Sequence, residues 1–242
     1  MQFTYDAYEK LICTLHENGY QIRGYHDYCA LKKCAILRHD IDYDLRRAVA
    51  FSEIEKRCNA KSTYFVLLTS DFYNLASKSS MMVLDKLRKN GHEIGLHFDE
   101  VQYLREDNKW NREEMIDNII REVDLLSKII DEPVRTVSMH RPSKETLESN
   151  LEIPGIINSY SDQFFNDFKY VSDSRMRWRE NVNEIINTSF YDRLHILTHP
   201  FWYGYKESQI NEIICAFIES AKNDRICMRD NNITDLDTII GI

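Results

Sequence analysis

Residues 36–48, ILRHDIDYDLRRA, run an apolar stretch straight into His39, Asp40 and Asp42, and an amphipathic pattern begins directly behind them. Three more histidines have the same setting: His97 after HEIGL, His140 after VRTVSM and His199 after HILT. Carboxylate with imidazole is a hard-to-borderline donor set, suited to Zn²⁺ or another divalent first-row ion with positions left for water. Asp42 and His97 are the firmest ligands by this reading. Asp40, two residues earlier, is expected to turn to the other side of an extended chain and to act as a base rather than a ligand. His199 then supplies an acid across the cleft, and His39 reads as a neighbour of the site. Any one of these side chains, taken singly, reads equally well as a hydrogen-bonded histidine or a helix cap. Their recurrence at four strand ends is what points to a site, because loops at that edge of an α/β sheet converge on one face.

The elements that must carry them follow from periodicity. Tyr8, Leu11, Ile12 and Leu15 recur at helical spacing and stop at Asn18-Gly19. CAILRHD (34–40), STYFVLL (62–68), HEIGLHF (92–98), VRTVSMH (134–140) and LHILTHP (194–200) read as strands. Between and after them lie helical patterns over 45–58, 81–89, 115–130 and 210–221, and Ser143 is placed to cap a short helix. Strands alternating with helices imply a parallel sheet covered by helices, either an open doubly wound sheet or a (β/α) barrel. No G-x-G-x-x-G follows a strand, which counts against a dinucleotide fold. Residues 150–190 carry little pattern.

With 43% hydrophobic and 12% aromatic residues, the 242-residue chain has the material for one large core. Its net charge of −8, with no basic stripe, argues against a nucleic-acid partner. The first residues lack a basic then apolar leader and nowhere do eighteen apolar residues run together, so a soluble, cytoplasmic protein without a transmembrane segment is expected. The six cysteines form no C-x-x-C pair and are expected as free thiols.

On these residues the chain resembles the polysaccharide deacetylase superfamily, carbohydrate esterase family 4 and its relatives. HDID (39–42) is similar to the family's first motif, which implies Asp40 as base and Asp42 as ligand. GHEIGLH (91–97) resembles the second, giving His97 the ligand role and His92 none. MHRPS (139–143) resembles the motif that brings an arginine to the base, implying Arg141 near Asp40. DSRMRW (173–178) resembles the motif whose Asp and Trp line the site, here Asp173 and Trp178. LTHPFW (197–202) resembles the last, with His199 as acid and Leu197 near the acyl methyl. The family's second motif usually carries another histidine where this chain has Val101, so the third ligand is expected from His140, with Asp99 or Glu100 behind it.

The resemblance implies an α/β fold, a single-domain distorted (β/α) barrel of about seven strands over 35–242 with an N-terminal helical cover over 1–34. It implies one divalent metal ion, Zn²⁺ first and Fe, Co, Mn or Ni as alternatives. The implied activity is hydrolytic removal of an N- or O-acetyl group from a sugar or sugar conjugate. A divergent subgroup with this pattern is associated with cytoplasmic steps of surface polysaccharide synthesis. Trp202, Tyr203 and Tyr205 are placed to stack on a sugar ring or, equally, to pack in the protein. Two other readings stand beside it. One is a catalytically silent carbohydrate-binding protein of the same fold. The other is a metal-independent glycoside hydrolase pairing Asp40 or Asp42 with Asp173, which leaves His97 and His140 without a task.

Overall fold

The computed structural model describes residues 1–103 and 110–230, the last three of these by backbone alone. The chain divides into two compact units, Met1–Lys206 and Glu207–Ile242. The described part of the second is the helix α8 (Ile210–Asp230) with its N-terminal approach. Among the described residues no helix is long and apolar enough to cross a membrane, and all six cysteines are free thiols.

The first unit is built on β1 (Gln21–Arg23), β2 (Cys34–Ile41), β3 (Thr63–Leu67), β4 (Glu93–Asp99), β5 (Thr136–His140), β6 (Ile157–Asn158), β7 (Lys169–Ser172) and β8 (Arg193–Thr198). Every pairing is parallel, in the order β6-β5-β4-β3-β2-β8-β7, and β1 joins the lower half of β2. This curled, open seven-stranded sheet with helices around it is the distorted (β/α) barrel expected. Among the described residues β6 and β7 do not pair, so the barrel stays open between them.

The helices are α1 (Tyr5–Glu17), α2 (Ala48–Arg57), α3 (Lys78–Lys89), α4 (Arg112–Ile130), α5 (Lys144–Glu148), α6 (Gln163–Asn166) and α7 (Val182–Thr188). Their ends are written in side chains that satisfy the free N–H groups of a first turn: Thr4, Ser77, Asn111, Ser143 and Asn181 each accept from the backbone N–H three residues on. Helix α1 buries Tyr8, Leu11, Ile12 and Leu15, its expected face, and packs on α2 and α7.

Residues Cys34 to Ile41 are buried without exception, yet the two faces of β2 differ. Successive side chains alternate across a strand, so Cys34, Ile36, Arg38 and Asp40 share one face and His39 and Ile41 the other. At the foot of the first face Cys34 and Ile36 pack with Tyr25, Tyr28, Phe65, Phe164 and Phe168 in an apolar floor. Above that floor the same face turns charged, first at Arg38 and then at Asp40. On the opposite face His39 meets Glu55 of α2, whose two oxygens accept from His39 Nε2 (2.8 Å), Tyr8 (2.7 Å), Ser62 (2.9 Å) and Tyr64 (2.5 Å). His39 therefore belongs to the layer between sheet and helices, where its Nδ1 also contacts Thr198 Oγ1 at 2.7 Å.

Candidate metal centre

Strand β2 ends at Ile41, whose carbonyl accepts from Tyr73 at 2.6 Å, and the same hydroxyl accepts from Leu67 N at the end of β3. Tyr73 thus ties two strand ends together one residue before Asp42. Strands β4 and β5 place His97 and His140 beside it, with Asp99 in register with His140.

Three atoms converge there. His97 Nε2 is 3.3 Å and His140 Nδ1 3.4 Å from Asp42 Oδ1, and the two nitrogens are 3.1 Å apart. Donor atoms held 2.0–2.1 Å from a tetrahedral zinc ion lie about 3.3 Å from one another. Asp42 Oδ1 is buried without a hydrogen-bond partner, a costly state for a carboxylate oxygen unless a cation completes it. Among the described residues these three are the group of imidazole, thiolate or carboxylate donors close enough to share a metal ion. One carboxylate and two imidazoles fit a divalent first-row ion. His97 Nδ1, the nitrogen outside the triangle, also lacks a partner, so the ring is held through its Nε2 side alone. Burial acts to raise the pKa of Asp42, but the imidazoles of His140 and His97 and the charge of His199 hold it well below the carboxylate range.

The other two candidates for a third ligand are engaged elsewhere. Asp99 Oδ2 accepts from Arg141 at 3.1 Å and its Oδ1 from Val101 N at 3.3 Å. Glu100 accepts from Ser143 N and Thr146 Oγ1 at the start of α5. Val101 itself is 52% exposed in the single turn after β4.

Asp40 and Asp42 do not point to opposite sides. Side chains two apart on a strand share a face, and His97 Nε2 accordingly lies 3.7 Å from Asp40 Oδ2 as well as 3.3 Å from Asp42. What separates the two carboxylates is their company. Both oxygens of Asp40 accept from Arg38, at 3.2 Å from Nε and 2.7 Å from Nη2. Burial raises the pKa of Asp40, and Arg38, then His97 and His199, outweigh it and lower the pKa overall. Arg141, expected beside Asp40, is turned away: its backbone adopts φ +49° and its guanidinium, 68% exposed, pairs with Asp99. Arg38 was missed in the sequence, although a lone arginine in an apolar strand, on the face of an acidic residue two further on, is a readable signal.

Across the mouth, the backbone N–H of His199 donates to Asp173 Oδ2 at 3.1 Å and its Nδ1 meets Asp173 Oδ1 at 2.6 Å. Tyr203 donates to Asp173 Oδ2 at 3.0 Å. His199 Nε2 is left facing the triangle, 3.9 Å from Asp42 Oδ2. Burial lowers the pKa of His199, but the charge and hydrogen bond of Asp173, with Asp42 and Asp40, raise it to about 9.

Asp173, fully buried and committed to His199 and Tyr203, is closed to direct substrate contact. Leu197 is buried on β8. Trp178 is partly buried, and its Nε1, like that of Trp202, is buried without a partner. Trp202 packs against Tyr43 and Phe201 with ring centroids 6.0 and 5.0 Å apart, and Tyr43 in turn meets Phe72, which is 55% exposed. Tyr203 is buried, whereas Tyr205 is 89% exposed and meets Tyr5 edge-on.

No protein-family model and no curated protein sequence matches the chain. Solved structures do. A Streptococcus mutans CE4 esterase superposes with a TM-score of 0.50 at 12% identity, covering 93% of this chain and 89% of that one. A family 4 carbohydrate esterase from Bacillus anthracis gives 0.46 at 16% identity over 88% and 85%. The Streptococcus pyogenes deacetylase PplD, in complex with acetate, gives 0.45 at 16% identity over 60% of this chain and 66% of that one. At these identities the likeness is one of fold.

Proposed function

We propose that this chain is a divalent-metal-dependent hydrolase that removes an acetyl group from a carbohydrate, with an acetylated amino sugar of surface polysaccharide synthesis as its substrate. The observation that carries the reading is the triangle of Asp42 Oδ1, His97 Nε2 and His140 Nδ1 with a fixed carboxylate on one side and a fixed imidazole on the other. Asp42, His97 and His140 hold the ion, Zn²⁺ first and Fe, Co, Mn or Ni as alternatives. When bound, it supplies a Lewis acid for the scissile carbonyl and an acidified water.

The protein's own groups then divide the proton work. Asp40, ionised and clamped by Arg38, accepts the proton of the attacking water. His199, its Nδ1 committed to Asp173, presents Nε2 and delivers a proton from there to the departing nitrogen or oxygen. A pKa raised to about 9 keeps that imidazole charged at neutral pH. Leu197, Trp178 and Trp202 are assigned to the wall around the acyl group and sugar. Two-carboxylate glycoside hydrolysis fits less well, because Asp173 has no free oxygen to offer. Six free thiols suit a reducing compartment, in keeping with a cytoplasmic place of work.

Metal analysis together with acetate release from acetylated amino sugars tests the reading. Asp42→Ala and His97→Ala are expected to fold and lose the metal, and His140→Ala to weaken it more than Asp99→Ala or Glu100→Ala does. Asp40→Asn is expected to keep the metal and lose roughly 10²- to 10⁴-fold in rate. Full metal occupancy in Asp42→Ala or His97→Ala sinks the assignment. A loaded wild type without turnover identifies the silent binding protein instead.

A further inference from the structure

The guanidinium under the candidate base comes from an unexpected place. Arg38 has no exposed surface, and it spends four hydrogen bonds in one fork: Nε and Nη2 to the two oxygens of Asp40, Nη2 also to Ser138 Oγ, and Nη1 to Ser159 Oγ at 3.0 Å. Its guanidinium carbon lies 5.2 Å from the Phe65 ring centroid and 5.0 Å from that of Tyr160, so two aromatic rings pack against the group. Ser138 stands on β5 two residues before His140, and Ser159 directly follows β6. One planar group therefore ties the carboxylate of β2 to the strand that carries the His140 imidazole.

We propose that Arg38 is the positioning residue of Asp40 and that Arg141 has no part in holding it. The inference rests on the hydrolase reading for its catalytic consequence, though not for its geometry. Arg38 and Asp40 share a face of the same strand, so the pair is set by β2 itself and needs no loop to close over it. The fork approaches from the floor of the barrel and occupies one side of both carboxylate oxygens. That leaves Oδ2 facing His97 Nε2 at 3.7 Å, the side on which the three proposed ligands converge. An ammonium group cannot reproduce this, because two carboxylate oxygens and two hydroxyls in four fixed directions need the planar, five-donor guanidinium. Arg141, outside the barrel mouth on Asp99, holds the end of β4 instead.

The test compares Arg38→Lys with Arg141→Met in the metal-loaded, full-length protein, alone and with Asp40→Asn. Arg38→Lys is expected to keep its metal and a KM within about twofold of wild type while kcat falls about 10²-fold, the loss that follows when a reacting group shifts by about 1 Å. Arg141→Met is expected to keep kcat within about threefold. Combined with Asp40→Asn, Arg38→Lys should add no further loss, because a residue that acts only through Asp40 has nothing left to act through. If Arg38→Lys fails to fold, Ser159→Ala removes one anchor of the fork and carries the same prediction at about tenfold. Crystal structures of the variants read the geometry without turnover: the Asp40 carboxylate should rotate in Arg38→Lys and stay in Arg141→Met. A wild-type protein that releases no acetate fails the hydrolase reading alone, since the rotation still decides the positioning role. Wild-type kcat in Arg38→Lys, an unmoved Asp40 in its crystals, or an equal loss in Arg141→Met overturns the proposal.

Discussion

Asp40 and Asp42 are the same residue type two positions apart, and their surroundings give them different chemistry. Asp40 meets a buried guanidinium on both oxygens, whereas Asp42 has an oxygen that no protein donor satisfies and two imidazole nitrogens within 3.4 Å of it. A carboxylate saturated by an arginine makes a poor ligand, and one left open among imidazoles makes a good one. His199 shows the same logic on the opposite side. Its Nδ1 is fixed by Asp173, and Asp173 is fixed in turn by Tyr203 and the backbone of His199. Replacing Asp173 by Asn removes the anion that opposes the effect of burial, so the imidazolium loses its proton at lower pH. The expected outcome is a pH-rate profile whose basic limb moves to lower pH with the metal content unchanged. A limb that stays in place in Asp173→Asn assigns the acid to another group.

Between elements, the hold on β2 is polar on both faces. Glu55 of α2 gathers donors from α1, β2, the start of β3 and Ser62, and although burial acts to raise its pKa, His39, His92 and Tyr64 pull it down to about 2. A carboxyl depressed in the folded state contributes stability that is full above the unfolded value of about 4.3 and is lost as pH falls from there through about 2. Glu55→Gln should therefore flatten the acid limb of stability between about pH 4.5 and 2, read by urea midpoints at several pH values. On β4, which β3 separates from β2, Gly95 precedes His97 by two residues, and a Cβ there would stand 2.5 Å from Phe65 Cε1 and 2.8 Å from Thr136 Oγ1. Gly95→Ala is expected to cost about 1–3 kcal/mol and to weaken metal binding by prising β4 from its neighbours; unchanged denaturation and metal titration would contradict it. The long strands were legible in the sequence because four to eight buried residues bounded by turn residues leave a clear pattern. The two- and three-residue strands β6 and β1 were not, because so short a stretch carries no period and is extended only by its partner's edge. The site divides in the same way. Strand-terminal histidines announce themselves by position; the Arg38 to Asp40 pair shows in the sequence only as a lone arginine two residues before an acid, and its role becomes plain once the barrel interior, rather than a helix layer, is known to lie under that face.

For the first unit as a body, the proposed ion would join three separate strands: the end of β2, β4 and β5, with β3 running between the first two. A ligand that binds the folded state alone stabilises it by about 2.7 kcal/mol at a hundred times its Kd. In a protein of this size that corresponds to roughly 5–10 °C in Tm. Scanning calorimetry with and without chelator should show a shift of that order in the wild type and none in His97→Ala; a chelator-insensitive Tm in the wild type counts against a metal that cross-links the strands. One feature of the topology also governs how the molecule comes into being. The strand bearing Asp40 is flanked by β3, which follows it closely in the chain, and by β8, whose Thr198 is 159 positions beyond His39. During synthesis β2 can pair with β1 and β3 early, but its other edge stays bare until nearly the whole first unit has left the ribosome. An unpaired buried-type strand is a template for wrong partners, and a pairing so distant in sequence is slow to find. The nascent protein must therefore carry its most reactive strand half-finished through most of translation, which makes the interval before β8 emerges the one in which a chaperone, or an aggregate, would claim it.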